Sequence, residues 1–342
     1  MKNLLSPDEL LQLVRLLRES RKIVITAHRG PDGDAVGSVL AFASYLRGIG
    51  KRADIVVPNA FPDFLRWMPG SERICLADHS HRRAAELLAG ADLVCMLDYN
   101  ATSRLQSMQS LVERSKAPRL MIDHHLDPDP KAACFVISRP DMCATCEVLF
   151  SLLWQLGHYE SMTTDEAACI YTGMMTDTGG FTYASTRPEI YEIISLLLAK
   201  GIDKDKIYRN VFNCYSPDRL RFMGYVLYEK LRLTAGGKAA YFAITREDMK
   251  RFRYIRGDSE GLVNMPLQIR GMRLSIALRE DTERDVVRVS LRSVDDFPAN
   301  RMAEEFFNGG GHLNAAGGEL PFPMDEAVGT VERAIEAYTE LL

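Results

Sequence analysis

Long apolar runs are missing from this chain. None reaches the roughly 18 to 20 residues that a membrane-crossing helix needs, so no membrane partner is expected. A basic excess is missing too: 42 Lys and Arg stand against 46 Asp and Glu, a formal net charge of -4. Proteins that grip a long duplex displace its counterions with surplus cations. The balance here points away from long duplexes and toward short ligands held by a few local cations. No second C-x-x-C completes a thiolate zinc site beside Cys143 and Cys146, and the seven cysteines are odd in number and scattered. Internal repeats and low-complexity tracts are absent. The first twenty residues, MKNLLSPDELLQLVRLLRES, lack the uninterrupted apolar centre of a signal peptide. They read as an amphipathic helix with Ser6 as N-cap, Pro7 at the first helical position and Glu9 closing a capping box. A cytoplasmic location is expected, where the cysteines stay reduced and Cys143 and Cys146 lie buried on a helix.

What is present suits a soluble globular protein: 46% hydrophobic and 26% charged residues over 342 positions, too long for one small core. Residues 1 to about 190 alternate strand and helix. The apolar runs RKIVITA (21–27), ADIVV (53–57), ADLVCMLD (91–98) and PRLMID (118–123) are short buried strands. Their continuous apolar character predicts a parallel sheet with helices on both faces, an α/β fold. Residues 143–157 and 163–177 read as helices, the second capped by Thr163 or Thr164. Residues 191–229 are helical and charged, a connection with exposed apolar faces that permit a homodimer. After 230 the pattern becomes a smaller mixed sheet with covering helices: a hairpin about Gly236-Gly237, two alternating strands joined near Thr282, and a closing helix.

In open parallel sheets the ligand site lies beyond the carboxyl ends of the strands. His28, Asp98 and Asp123-His124-His125 all occur there. The loop at 28–34 (HRGPDGD) adds Asp32 and Asp34, and Asp177 projects from a helix end beside Gly179 and Gly180. Carboxylates and imidazoles without cysteine suit divalent ions that catalyse phosphoryl chemistry. The expected assignment is a pair of ions: His28 and Asp32 on one, Asp34, His124 and Asp177 on the other, with Asp98 bridging. Such N/O ligation suits manganese foremost, with iron, cobalt or zinc as alternatives.

These motifs resemble those of the DHH phosphoesterase family. The resemblance rests on residues 28–38 (HRGPDGDAVGS), Asp98, Asp123-His124-His125 and Asp177-Thr178-Gly179. It extends to Gly309-Gly310-Gly311-His312 with Ala315-Ala316-Gly317, which resembles the glycine-rich signature of the DHH-associated substrate domain, as does the strand end Ser290-Leu291-Arg292-Ser293. It covers nearly the whole chain and implies a catalytic domain over 1–190, the connection over 191–229 and a substrate-binding domain over 230–342. The compact oligoribonuclease and pAp phosphatase type is the nearest architecture. It implies manganese-dependent hydrolysis of short RNA oligonucleotides, dinucleotides and 3′-phosphoadenosine 5′-phosphate (pAp) by two-metal hydroxide attack. Exonucleases with added nucleic-acid-binding domains share the motifs, but this length leaves no room for those domains.

Roles follow for the remaining residues. Asp123 is expected to orient a histidine ligand and His125 to contact the substrate phosphate or handle protons. The three glycines expose backbone N–H groups to an anion, with His312, Arg292 and Ser293 beside them to hold a remote phosphate. Arg104, six residues after Asp98, is a candidate phosphate contact or a surface ion-pair partner. Other readings of the same motifs are a cyclic- or linear-dinucleotide phosphodiesterase and a non-catalytic nucleotide sensor.

Overall fold

The computed structural model describes residues 3–342. The chain divides into two compact units, Met1–Cys214 and Tyr215–Leu342. Among the described residues no helix is long and apolar enough to cross a membrane.

In chain order the first unit comprises α1 (Pro7–Glu19), β1 (Lys22–Thr26), α2 (Gly33–Gly48), β2 (Arg52–Val57), β3 (Cys75–Leu76), α3 (His81–Ala89), β4 (Leu93–Leu97) and α4 (Gln109–Arg114). It continues with β5 (Arg119–Asp123), β6 (Phe135–Ser138), α5 (Thr145–Gln155), α6 (Thr164–Asp177), α7 (Pro188–Ala199) and α8 (Lys204–Phe212). Helix α1 begins with the expected box: Ser6 N–H donates to Glu9 Oε2 (2.8 Å) and Glu9 N–H to Ser6 Oγ (3.4 Å). Thr163 does the same for α6 with Glu166.

The six strands run parallel in the order β3-β2-β1-β4-β5-β6. Both faces are covered, which is why the strands read as unbroken apolar runs. Ile23, Ile25, Ile55, Cys95 and Ile122 pack with α2, α5 and α6 on one side. Val24, Val56, Val94, Met96 and Met121 pack with α3 and α4 on the other. Each such side chain contributes about 1.5–3 kcal/mol of burial. The chain leaves β1 first toward β2 and later toward β4, so the order reverses at β1/β4. A crevice opens at the strand ends there.

Helix α2 is buried almost throughout and packs against α6. Two glycines permit that approach. A Cβ on Gly37 would lie 2.5 Å from the Cys169 carbonyl oxygen, and one on Gly173 would lie 2.2 Å from Cys146 Sγ and 2.8 Å from Asp34 Oδ1.

The second unit comprises α9 (Pro217–Tyr225), β7 (Arg232–Thr234), β8 (Ala239–Ile244), α10 (Arg246–Arg251), β9 (Leu274–Glu280), β10 (Val286–Ser293), α11 (Ala299–Phe306), β11 (Gly310–His312), β12 (Ala315–Pro321) and α12 (Met324–Ala337). Its sheet runs β11-β12-β10-β9-β8-β7, with β8 and β9 parallel and the other pairs antiparallel. Strand β10 alternates as its sequence does: Val287, Val289 and Leu291 face the core under α11 and α12, and Arg288, Ser290 and Arg292 face away. The helical stretch 191–229 is not a separate body. Helices α7 and α8 pack with the first unit, and α9 opens the second.

Candidate metal centre

The loop after β1 and the first turn of α2 place three of the expected groups, His28, Asp32 and Asp34. Asp32 caps α2, its Oδ1 accepting the N–H groups of Asp34 and Ala35 (3.1 Å each). That leaves Oδ2 to face His28 Nε2 at 3.8 Å. His28 turns its other ring nitrogen toward the Arg29 carbonyl oxygen, Nδ1 to O 3.0 Å. With that N–H donated, Nε2 is the nitrogen that would offer its lone pair to a metal once its own proton is lost. His124 is oriented likewise, with Nδ1 against the Met142 carbonyl at 3.3 Å.

Asp98 directly follows β4 with φ of 64°, a left-handed conformation that costs a non-glycine residue about 1–3 kcal/mol. The turn aims its carboxylate into the crevice, where it is buried. Its Oδ2 lies 3.4 Å from His28 Nε2 and its Oδ1 3.7 Å from His124 Nε2. On the far side His124 Nε2 lies 3.4 Å from Asp177 Oδ2 and 4.0 Å from Asp34 Oδ2. The geometry thus gathers His28, Asp32 and Asp98 into one group and Asp34, His124 and Asp177 into another, the donor atoms of each within 4.8 Å of one another. Asp98 presents one oxygen to each group.

The start of α5 supplies support that the motifs do not announce. The amides of Thr145 and Cys146 donate to Asp34 Oδ2 (2.6 Å) and Oδ1 (2.9 Å), and Thr145 Oγ1 donates to Asp98 Oδ1 (3.0 Å). A carboxylate is favoured at the positive end of a helix. The signal for Thr145 is weak, a threonine two residues past Cys143 at a predicted helix start.

The electrostatics fit cations. Burial, then the nearby Asp98 and Asp32 charges, hold the Asp34 carboxyl well above its usual range. Asp177 is raised by burial, against the pull of His124. Burial opposes a charge on His28, but Asp98 and Asp32 outweigh it and raise its pKa to about 9. His124 is raised in the same way, with Asp177 the leading opponent of burial. Asp98, between the imidazoles, is held low despite its burial. So dense a set of carboxylates keeps protons because nothing else neutralises it, and divalent ions would replace them. The separations of 3.4–4.0 Å between imidazole and carboxylate atoms exceed an ordinary hydrogen bond of about 3 Å. They approach the spacing of donors that share an ion at about 2.1 Å.

Asp123 takes a different partner from the one expected. Its Oδ1 meets His125 Nδ1 at 2.8 Å and its Oδ2 accepts the His125 N–H at 3.1 Å. It therefore orients His125, while a backbone carbonyl orients His124. His125 Nδ1 lies 3.8 Å from Asp98 Oδ1, at the rim of the cluster. Arg104 is exposed, and its charge opposes protonation of His28. Cys143 and Cys146 are free and buried, burial raising both thiols, and neither belongs to the His and Asp groups that gather about Asp98.

In the second unit Arg292 pairs with Ala315 across β10/β12, and His312 pairs with the same Ala315 across β11/β12. Directly paired residues share a face. Arg292 and His312 thus stand on one face, two strands apart, with only a methyl group between them. Two of the three glycines, Gly309 and Gly311, are required by close packing, whereas Gly310 has room for a side chain. A Cβ on Gly309 would lie 1.8 Å from the Gly317 carbonyl oxygen, one on Gly311 2.5 Å from that of Ala315, and the Gly309 amide is given to Ala303 O (3.1 Å). The hydroxyl expected on phosphate is also committed: Ser293 is buried, donates to Phe297 O (2.9 Å) and accepts from Asn314 Nδ2 (3.0 Å). Ser293 pins the loop rather than meeting a ligand.

Carboxylates and imidazoles converging at the switch point of a parallel sheet form a candidate centre for divalent metal ions. Residues 22–174 match the N-terminal domain of the DHH family and residues 236–341 the DHHA1 domain. The chain belongs to the DHH phosphoesterase family. It is similar to a bifunctional oligoribonuclease and PAP phosphatase, NrnA, of Thermus thermophilus (31% identity over 96% of this chain and 94% of the relative). A crystal structure of an exopolyphosphatase-related protein from Bacteroides fragilis superposes with TM-score 0.94 and 48% identity, covering 100% of this chain and 99% of that one. RecJ from Thermus thermophilus, in complex with Mn2+, shares the fold (TM-score 0.54, 15% identity, 98% of this chain, 54% of that one).

Proposed function

We propose that the chain hydrolyses the phosphoester bonds of short RNA oligonucleotides and of pAp. The observation that carries this reading is the shared Asp98, one carboxylate facing two groups of donors. His28 and Asp32 would hold one divalent ion and Asp34, His124 and Asp177 the other, with Asp98 common to both. Manganese suits the mixed imidazole and carboxylate set, and RecJ, with the same fold, was crystallised with that ion. When bound, such a pair supplies a nucleophile at neutral pH and neutralises charge on the phosphoryl oxygens.

The protein's own groups do the rest. His28 and His124 keep their tautomers through the Arg29 and Met142 carbonyls. Thr145 and Cys146 fix the Asp34 carboxylate against rotation. His125, held by Asp123, faces the phosphate and handles the proton of the departing hydroxyl. Arg292 and His312 hold the substrate's remote phosphate from one face of the second sheet, and Arg104 adds a local positive charge. The first unit is the catalytic domain and the second the substrate-binding domain. The NrnA name of a relative 31% identical supports the choice of substrates.

The test is a manganese-supplemented degradation series on RNA of two to twelve nucleotides, run beside pAp and cyclic dinucleotides. Mononucleotide release from the shortest RNAs, together with phosphate release from pAp, is expected. Hydrolysis confined to cyclic or linear dinucleotides would move the assignment to a dinucleotide phosphodiesterase. No turnover of any of these, with no divalent ion bound, would leave a nucleotide sensor.

A further inference from the structure

The basic residues of this acidic chain are not evenly spread. Beside the edge strand β3 lies a cavity of about 620 Å³, lined in part by Arg47, Lys51, Arg52, Arg73 and Arg83. Only two acids, Asp54 and Glu72, line it with them. Five positive charges against two negative leave a surplus of three, in a protein whose formal net charge is -4. The cavity lies where β2 begins, at Lys51 to Asp54, whereas the metal-centre residues follow the ends of β1, β4 and β5. It is a different place on the unit.

The two acids are already engaged. Asp54 pairs with Arg52 at 3.0 Å and Glu72 with Arg73 at 3.3 Å. Other cations are held by neutral groups. Arg47 gives Nε and Nη2 to the Ala53 carbonyl oxygen (3.1 and 2.7 Å), and Lys51 gives Nζ to the Arg18 carbonyl oxygen (2.9 Å). A carbonyl fixes the position of such a side chain without cancelling its charge. Arg83 brings a further cation from α3. Arg52 and Arg73 are thus balanced by acids, and the surplus of three charges rests on Arg47, Lys51 and Arg83. Ile74 and Leu76 supply an apolar wall. The volume suits a small-molecule ligand, and guanidinium groups suit the paired oxygens of phosphoryl groups.

We propose that this cavity binds an anion with two or more linked phosphoryl groups, a nucleoside di- or triphosphate or inorganic pyrophosphate, independently of the hydrolytic site. A ligand of two to four negative charges matches the surplus. One phosphoryl group would meet Arg83 and Arg73 at the rim, where it would displace the exposed Glu72 carboxylate from Arg73, and the next the Arg47 and Lys51 side of the cavity. The apolar wall would favour a base over a bare phosphate chain.

The test is calorimetric titration of the full chain, as purified, with ATP, pyrophosphate and adenosine in separate runs. A saturable site for ATP or pyrophosphate, and none for adenosine, is expected. Tighter binding of ATP than of pyrophosphate would identify a nucleotide site, and equal binding a site for the phosphate chain alone; either supports the proposal. The double variant R73Q/R83Q changes exposed side chains only, and should weaken binding at least about tenfold. H312A should leave the affinity unchanged. No saturable binding at millimolar ATP would overturn the proposal. So would binding that R73Q/R83Q leaves intact, whether it comes from a co-purified ion or from the hydrolytic site.

Discussion

Thr145 holds Asp98: its hydroxyl donates to Oδ1 at 3.0 Å, while its amide reaches Asp34 Oδ2 at 2.6 Å. One residue at the start of α5 thus steadies a carboxylate just after β4 and another from α2. Removing the hydroxyl while keeping the amide separates the two contacts. Thr145→Val should lower metal affinity about 10- to 100-fold, the usual effect of losing a group that orients a ligand, and excess manganese should restore part of the activity. Thr145→Ser should stay near wild type. Metal titrations of activity check both. Equal activity of Val and wild type at limiting metal would remove Thr145 from the account.

Asp98→Asn keeps the shape of the side chain and removes the charge shared by the two donor groups. Turnover should fall by roughly three orders of magnitude or more, with the circular dichroism spectrum unchanged. Substantial residual activity would refute the bridging role.

Metal binding should release protons and tighten as pH rises. Without metal, Asp34, Asp177, His28 and His124 all hold protons to higher pH than usual, His28 up to about 9. A ligand must lose its proton to bind an ion, so raising the pH toward 9 removes the competitor. Calorimetry of manganese binding in buffers of different ionisation enthalpy measures the number released. A positive number that shrinks toward pH 9 is expected; zero at pH 7 contradicts the assignment.

Gly173 tests the approach of α6 to the Asp34 side chain. Gly173→Ala would push a methyl group onto Cys146 Sγ and Asp34 Oδ1. Overpacking of this kind costs about 1–3 kcal/mol, and displacement of Asp34 should weaken metal binding as well. The double variant Gly173→Ala with Cys146→Ala removes the sulfur and should recover part of the stability. Chemical denaturation of the three variants measures it, and a double variant no more stable than Gly173→Ala would show that the sulfur is not the obstacle.

Much of this fold and site is legible in the sequence. Apolar runs ending in Asp98 and Asp123 mark parallel strands buried on both faces, and the strand ends of such a sheet are where ligands gather. The alternation of Val287, Val289 and Leu291 likewise marked a half-buried strand. What was not readable depends on which element comes to lie beside which. Thr145 matters only because α5 begins under Asp34 and Asp98, and nothing in its neighbours in sequence says so. Asp123 serves His125 rather than His124 because the Met142 carbonyl, eighteen positions from His124, takes that role first. Ser293 sat in a signature that suggested ligand contact, yet Asn314 and the Phe297 carbonyl had already claimed its hydroxyl. The glycines after Asn308 suggested an anion loop, and the close passage of β12 shows their steric reason.

The proposed function requires a pair of divalent ions flanking Asp98. Anomalous scattering from a manganese-soaked crystal measures it directly. Two peaks about 3.5 to 4 Å apart are expected, one among His28, Asp32 and Asp98 and the other among Asp34, His124, Asp177 and Asp98. No peak within reach of Asp98, or a single ion held elsewhere, would contradict it.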